Sequence, residues 1–270
     1  METSKLKNIV LLILLVTNLL LLLLLGTQRF QRHKSETQAL DAAIELLEEK
    51  GIAVDADLLP RKDFPSPLTV EPNAAQEQDV FTALLGENAT LTQRGLVSYY
   101  AGAKGTAELR GDGTFYLSLL PGAYPAGEAG PERHALELME SLGFQATVTS
   151  YDGQSVTLLQ SQDGRPVFSC QAQAVYQDGS LVSVSGHRLP GSAVPSADPS
   201  DPLSLATLLT RFRSGIIESG DACGAILEAA QGYLLVSASG GEARLVPVLR
   251  VVTDANTYYV NALTGELQRA

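Results

Sequence analysis

Residues 144–188 read FQATVTSYDGQSVTLLQSQDGRPVFSCQAQAVYQDGSLVSVSGHR, and this stretch decides the fold class. Asp-Gly pairs begin at positions 152, 163 and 178, and they separate four runs of apolar and β-branched residues. Asp-Gly pairs are typical of tight hairpin turns, because both residues tolerate a positive φ angle. The stretch therefore predicts an antiparallel meander whose strands cover 144–151, 154–162, 166–176 and 181–188.

The segments on either side of this meander alternate between helical and extended patterns. Ser35 and Gln38 form a capping box at the start of the first helical segment, and Asn73 is placed to cap the second. Pro131 suits the first turn of the third. We predict helices over 35–50, 74–86, 131–142, 203–218 and 222–231, and further strands over 96–100, 107–109, 115–119, 233–239, 244–254 and 257–263.

Antiparallel strands with segregated helices predict an α+β fold, in which helices pack on one face of antiparallel sheets and helix-plus-meander units recur. Residues 190–202 are rich in Pro and Ser, so they form either an interdomain linker or a long loop within one domain. The predicted order is a stalk helix with a Pro-rich connection over 28–72, a first α+β unit over 73–189, this linker or loop, and a C-terminal α+β unit over 203–270.

The N-terminal region contains a long apolar segment. Residues 9–25 read IVLLILLVTNLLLLLLL, with Thr17 and Asn18 as the polar positions. As a helix this segment is roughly 25 Å long, near the lower limit for crossing a bilayer. It is longer than the apolar part of a typical cleaved signal peptide, and no A-x-A pattern follows it. We therefore expect an uncleaved transmembrane anchor over 9–27 behind a short tail, 1–8. Basic residues flank both ends, so charge does not set the orientation.

The composition excludes several classes of protein. The 270 residues carry a formal net charge of −11 and a mean hydropathy of +0.08. Beyond the apolar segment the chain keeps 17 basic and 29 acidic residues, a net charge of −12. An acidic chain lacks the basic surface that a general nucleic-acid binder needs. The two cysteines exclude a disulfide-dense scaffold and a four-cysteine zinc module.

Motifs for catalysis, nucleotide binding or metal binding are absent from the sequence. The histidines, His33, His134 and His187, have no second ligand-type residue at metal spacing. Cys170 and Cys223 form either one disulfide or two ordinary half-buried thiols. We therefore expect no catalytic residues, no cofactor and no metal, and a protein that binds or restrains a partner.

Two segments resemble a known family. The start, ETSKLKNIVLLILLVTNLLLLLLL (2–25), resembles the basic-then-apolar start of YycI regulatory proteins, which tend to place an asparagine in mid-span, where Asn18 stands. The end, LVPVLRVVTDANTYYVNALTGELQ (245–268), resembles the closing strands of YycI and YycH proteins and of PepSY-type modules. There a tyrosine-rich strand precedes an N-A-x-T-G-E turn. The corresponding structural residues here are Tyr258, Tyr259, Asn261, Ala262, Gly265 and Glu266.

This resemblance implies a regulatory role. YycI proteins lie in the membrane of Gram-positive bacteria, with the N-terminus in the cytoplasm and the body outside. Together with YycH they modulate the sensor histidine kinase WalK, also called YycG, which controls cell-wall metabolism. The resemblance thus implies three partners, a WalK-like kinase, a YycH-like protein and the lipid bilayer, with Thr17 and Asn18 making polar contacts within the span.

Two other functions stay open at the level of sequence. The first is an extracellular PepSY-like module that binds a ligand or inhibits a peptidase, and a pocketed cleft between the repeats favours it. The second is a cell-wall enzyme, which a cluster of perturbed carboxylates or histidines in one cleft favours.

Overall fold

The computed structural model describes residues 14–15, 17–20, 35–86, 88–197, 200–237 and 243–270. Most of these residues lie in strands. The helices are α1 (35–48), α2 (Ala74–Leu85), α3 (Gly130–Ser141) and α4 (Leu205–Ser219), with a short 3₁₀ turn at Ala56–Leu58. The strands are β1 (Leu68–Pro72), β2 (Thr90–Arg94), β3 (Val97–Gly102), β4 (Gly105–Arg110), β5 (Thr114–Leu119), β6 (Ala146–Tyr151), β7 (Ser155–Gln162), β8 (Arg165–Gln177), β9 (Ser180–His187), β10 (Gly191–Pro195), β11 (Ile226–Ser237), β12 (Ala243–Thr253), β13 (Thr257–Asn261) and β14 (Leu267–Arg269).

The predicted meander is confirmed in β6 to β9. Each strand pairs antiparallel with the next, and the Asp-Gly pairs occupy the turns between them. Asp163 and Asp178 have φ angles of 51° and 50°, and the glycine after each is also positive. These are the conformations that two-residue hairpin turns require, and Asp tolerates them better than most residues.

The strands join into one sheet with the order β10-β1-β12-β11-β8-β9-β5-β4-β3-β2. β6 extends it through β7 onto β8, and β13 and β14 extend it on β12. In the half built on β2 to β9, α2 and α3 cover one face and bury Phe81, Leu85, Leu138 and Met139 against the strands. In the half built on β11 to β13, α1 and α4 cover the sheet, and a second core forms around Leu47, Phe212 and Tyr258.

A close approach between β8 and β11 joins the two halves. Tyr233 pairs with Val167 in a parallel bridge, and the Leu235 amide donates to the Ser169 hydroxyl at 2.8 Å. Gly232 lies at the point of nearest contact, where a Cβ atom would stand 2.4 Å from the Pro166 carbonyl oxygen. Glycine at this position therefore permits the two strands to meet.

The predicted α+β fold class is wrong. The described residues form a large domain that is mostly sheet, with few helices, and not a series of helix-plus-meander units. The clearest difference is at 222–231, which was expected to be helical. Residues from Ile226 onward instead form β11, which pairs antiparallel with β12 along its length. The alanine-rich composition favours a helix locally, but pairing and burial in the sheet outweigh that preference. Part of the Pro/Ser segment is also extended, since β10 pairs with β1.

The predicted transmembrane anchor, and with it the single-pass membrane location with an external body, is wrong. Within the described residues no helix is long and apolar enough to cross a membrane. A span needs about 20 consecutive apolar residues in one helix, whereas α4 has 15 residues and carries two arginines. Most of the segment 9–27 lies outside the described residues, and its described positions, 14–15 and 17–20, are helical and exposed.

Candidate functional site

A cleft lies where α2, the segment before β6, the end of β7 and the start of β10 converge. Its volume is about 310 Å³. One part of its wall is apolar and includes two phenylalanine rings, and another part carries side-chain amides. The lining residues are Asn73, Glu77, Val80, Phe81, Leu142, Gly143, Phe144, Gln145, Gln160, Ser161, Gln162, Asp163, Arg188, Leu189, Pro190, Gly191, Ser192 and Ala193.

Arg188 is the buried charge in the wall of this cleft. Its side chain is 7% exposed. Nη1 donates to the Leu189 carbonyl oxygen at 3.1 Å, and Nη2 donates to Oε2 of Glu77 in a short ion pair. Nε has no hydrogen-bond partner among the described residues. The guanidinium therefore has one donor, adjacent to Nη2 and enclosed by the protein, that the described protein groups do not use.

The backbone around Arg188 is held from several sides. The Arg188 amide donates to the Gly113 carbonyl oxygen at 2.9 Å, and the Leu189 amide donates to Oε1 of Gln160 at 3.0 Å. A Cβ atom on Gly113 would stand 2.3 Å from the Arg188 carbonyl oxygen, so this contact requires glycine. These contacts fix the backbone at Arg188 and Leu189, which follow β9 and line the cleft.

Aromatic rings surround the ion pair. The guanidinium carbon of Arg188 lies 5.9 Å from the ring centre of Phe81 and 6.0 Å from that of Phe144, within the range of cation–π attraction. Phe81 also stacks on Tyr100, with 5.4 Å between ring centres. Burial raises the pKa of Tyr100, the negative charge of Glu77 raises it further, and Arg188 acts in the opposite direction. The ion pair therefore lies in a partly apolar environment, where hydrogen bonds and electrostatic interactions are stronger than in water.

The chemistry of the wall is that of a binding site. Arg188 offers a charged donor, and the side-chain amides of Gln145, Gln160 and Gln162 offer both donors and acceptors. No histidine or cysteine is among the described residues that line the cleft. This arrangement can hold a ligand that combines an oxygen acceptor, amide-like groups and an apolar part.

The family-motif residues lie away from this cleft, on the hairpin of β13 and β14. The Tyr258 ring packs edge-on against Phe212, and its hydroxyl donates to Oδ2 of Asp221 at 2.7 Å. Tyr259 points to the other face of the strand, where its ring lies 5.7 Å from that of Phe168.

The turn after β13 is held by its own hydrogen bonds. Oδ1 of Asn261 accepts from the amides of Leu263 and Thr264, and the Gly265 amide donates to the Asn261 carbonyl oxygen. Ala262 is fully buried, and Glu266 is exposed. Gly265 has a φ angle of 76°, which favours glycine. These residues build a turn, and the structure does not bring them to the Arg188 cleft.

A second groove, of about 690 Å³, runs between α4 and β14 beside this turn. Tyr258, Gly265 and Glu266 contribute to its wall, together with Arg211 and Asp221. It is wider than the Arg188 cleft, but its buried hydroxyl, on Tyr258, is already bonded to Asp221. We therefore take the Arg188 cleft as the candidate site.

The remaining candidate residues are dispersed. Cys170 is buried in β8 and Cys223 is partly exposed, and both are free thiols. Burial raises the pKa of Cys170 to about 12. His134 bonds through Nδ1 to the Tyr176 hydroxyl at 2.8 Å, and burial lowers its pKa. His187 lies 3.1 Å from the Thr114 hydroxyl, and His33 is outside the described residues. In the described ranges no three His, Cys, Asp or Glu side chains are placed to hold a metal ion.

Thr17 and Asn18, predicted to make polar contacts within a membrane span, are exposed helical residues. Sequence reasoning missed Arg188 and Glu77 entirely. They lie 111 positions apart, and neither belongs to a motif that marks it for binding. The one local signal is the arginine at the end of a predicted strand, immediately before Leu-Pro-Gly.

Comparisons with known proteins give little for this chain. No protein-family model matches it, and no protein of curated function matches it. Among the solved structures that match is the crystal structure of an uncharacterized protein from Eubacterium rectale ATCC 33656. The two chains share 10% sequence identity and a TM-score of 0.49, over 81% of this chain and 90% of that chain.

Proposed function

We propose that this chain is a non-catalytic binding protein whose ligand occupies the Arg188 cleft. The observation that carries the proposal is the buried guanidinium in the cleft wall, whose Nε has no partner within the described part of the chain. That guanidinium is largely enclosed, and the cleft that it borders combines its positive charge with side-chain amides and two phenylalanine rings. The volume of about 310 Å³ falls within the range of small-ligand sites.

The composition of the wall supports binding over turnover. Arginine recognises planar oxygen pairs through its rigid fork of donors. The acidic group nearest to it, Glu77, is engaged in an ion pair with Arg188. A cleft between repeated units was the feature expected of a PepSY-like ligand-binding module, whereas this cleft lies within one mostly-sheet domain that has no such series of units in its described residues.

A second proposal is regulation of a WalK-like sensor histidine kinase together with a YycH-like protein. It rests on the resemblance of residues 245–268 to the end of YycI proteins. The open face of the sheet supports it, because Tyr99 and Tyr116 are 39% and 53% exposed there and β2 is exposed at every position. Aromatic side chains on an exposed sheet face and an unpaired edge strand are common features of protein–protein contact.

Ligand-observed NMR tests the binding proposal. The probes are acetate, N-acetylated amino acids and dipeptides, each measured with the wild-type chain and with a cleft-filling variant, Ser161→Phe. The matched control is Ser118→Phe, on β5 outside the cleft. We expect at least one probe to give saturation transfer with wild type and Ser118→Phe and to lose it with Ser161→Phe. If no probe distinguishes these three proteins, the cleft is not a ligand site.

Autophosphorylation of a WalK-like kinase in lipid nanodiscs tests the regulatory proposal. We expect the rate to change when the chain is added, and the change to shrink for a Tyr99→Ala, Tyr116→Ala double variant. An unchanged rate with the wild-type chain would remove the support for this role.

A further inference from the structure

Gln160 is the enclosed amide side chain in the wall of the Arg188 cleft. It follows Val156 and Leu158 in the row of β7 side chains that pack towards α3, so a polar residue ends an otherwise apolar row. Gln160 is 6% exposed and lines the cleft. The pairing of β7 with β8 shifts register at this residue, and such irregularities are common next to functional sites.

The backbone fixes the orientation of the Gln160 amide. The Leu189 amide donates to Oε1 of Gln160 at 3.0 Å. Since a backbone N–H can only donate, the side-chain atom that faces it is the oxygen, and the two donors of Nε2 point elsewhere. No described group accepts a hydrogen bond from Nε2. Nε2 is also accessible, because the enclosed side-chain atoms without a partner in the described ranges are Oγ of Ser180 and the Nε atoms of Arg188 and Arg213.

The charges around the cleft favour an uncharged ligand. Glu77 compensates the positive charge of Arg188, and the remaining charged side chain in the wall is the exposed carboxylate of Asp163. A ligand carboxylate would lose hydration and meet a net negative charge there. A carbonyl oxygen accepts a hydrogen bond without carrying a charge. The free donors of Gln160 therefore match the carbonyl oxygen of a neutral ligand.

The other residues of the wall select the groups on either side of that carbonyl. Phe81, Phe144 and Leu142 form its apolar part, which suits an alkyl or aryl group. The side chain of Gln162 lies in the same wall and carries an amide oxygen, which is an acceptor for a ligand N–H. An acylated amine combines a carbonyl oxygen, an N–H and an apolar substituent in one uncharged group.

We propose that the Arg188 cleft binds the acylamino group of a small uncharged ligand, with the carbonyl oxygen on Nε2 of Gln160 and the adjoining apolar group on Phe81 and Phe144. This inference rests on the proposed binding function of the same cleft, and it names the class of ligand and the side chain that recognises it. Arg188 and Glu77 then act as a neutral pair that supports the wall.

The substitution Gln160→Glu reverses the hydrogen-bonding preference of this position. The new carboxylate keeps an oxygen for the Leu189 amide and replaces the Nε2 donors by a second acceptor. A carbonyl ligand loses its donor, whereas a ligand that is a cationic donor gains a partner. A misfolded variant binds neither ligand, so misfolding does not produce this reversal.

Heteronuclear NMR titrations with small probes provide the test. The probes are N-benzylacetamide, which is neutral and has the carbonyl group, 4-phenylbutyrate, which is anionic, and N-ethylbenzylammonium, which is cationic. With the wild-type chain we expect the acetamide to bind about tenfold more tightly than either ion, a difference that corresponds to one hydrogen bond. It should also shift the side-chain NH₂ signals of Gln160, which are assigned by their loss in Gln160→Glu. In that variant we expect the acetamide to bind about tenfold more weakly and the ammonium probe to bind more tightly than in the wild type.

Gln162→Glu is the matched control. It adds the same charge to the same wall and leaves the Gln160 donors in place, so we expect the affinity for the acetamide to fall by less than about threefold. Absence of acetamide binding, or a 4-phenylbutyrate affinity equal to that of the acetamide, would overturn the inference. The same holds for unchanged acetamide binding in Gln160→Glu, an equal loss in both variants, or no gain for the ammonium probe.

The cleft-filling variant Ser161→Phe separates a failure of this inference from a failure of the proposed function. If Ser161→Phe abolishes binding of a probe that Gln160→Glu leaves unchanged, the cleft remains a ligand site and the acylamino assignment falls. If every probe that binds the wild-type chain binds Ser161→Phe equally well, the proposed function falls together with the inference.

Discussion

Nη2 of Arg188, at the end of β9, donates to Oε2 of Glu77, in the first turn of α2. The side chains are 7% and 21% exposed, so the pair lies largely out of water. It ties α2 to the sheet over 111 positions of sequence, and it also forms the wall of the candidate site. The same contact therefore joins two elements of the fold and lines the cleft of the proposed ligand site.

The effects of substituting Glu77 and Arg188 on the free energy of unfolding are expected to be coupled. Glu77→Leu leaves the Arg188 charge buried and unpaired, and we expect the free energy of unfolding to fall by about 3 kcal/mol. The double variant Glu77→Leu, Arg188→Met removes both charges and should regain most of that loss. Urea unfolding of the wild type, both single variants and the double variant measures the coupling. A double variant that loses the sum of the two single losses would contradict it.

Tyr258→Phe is expected to destabilise the C-terminal half. It removes the hydroxyl that donates to Asp221, a bond to a charged acceptor, and we expect a loss of about 1.5–3 kcal/mol. Tyr259→Phe is the matched control, because it makes the same change on the next residue, whose ring packs on Phe168. We expect less than about 0.5 kcal/mol there. Thermal unfolding compares the two, and equal losses would show that the Asp221 contact contributes little.

The two thiols are expected to differ in reactivity. Burial raises the pKa of both thiols, but Cys223 is partly exposed, whereas Cys170 is 1% exposed and its pKa is raised to about 12. Ellman's reagent at pH 8 should therefore modify one thiol in the native chain and two in 6 M guanidinium chloride. Cys223→Ala should remove the native reaction and Cys170→Ala should retain it. Rapid native modification of Cys170 would contradict its burial.

Stability is expected to fall at alkaline pH. Burial raises the pKa of Cys170 from 9.0 to about 12 in the folded chain, so the folded state keeps a proton that the unfolded state loses. The contribution of the protonated Cys170 thiol to the free energy of unfolding is complete below pH 9 and is lost as the pH rises towards 12. The buried tyrosines Tyr100 and Tyr258, whose pKa values burial raises from 10.0, act in the same direction above pH 10. Urea unfolding between pH 8 and 11 measures the decline, and Cys170→Ala should reduce it.

Gly232→Ala is expected to disturb the junction between β8 and β11. The added methyl group would lie 2.4 Å from the Pro166 carbonyl oxygen and 2.6 Å from the Phe168 ring, so the strands must separate. We expect a loss of about 1–3 kcal/mol. Gly111→Ala is the control, because its nearest atom would be 4.0 Å away. Chemical unfolding measures the stability of both variants. Similar stabilities would mean that β8 and β11 can separate at little cost in free energy.

The meander from β6 to β9 can be predicted from local sequence patterns. Its turns are set by Asp-Gly pairs, in which Asp163 and Asp178 adopt the positive φ angles that this dipeptide favours. Local patterns also placed α1, α3 and α4 to within a few residues. Caps, turns and hydrophobic periodicity depend on residues a few positions apart, so they can be recognised in a single sequence.

Features that depend on the pairing of distant segments are established by the tertiary fold. Residues from Ile226 onward became a strand because β12 and β8 lie on either side of them, and β10 exists because β1 is beside it. The candidate site is a further case, since Glu77 and Arg188 become partners only when α2 packs beside the end of β9. Strand pairing and buried ion pairs join residues whose separation in sequence carries no local signal, and burial then outweighs intrinsic preference.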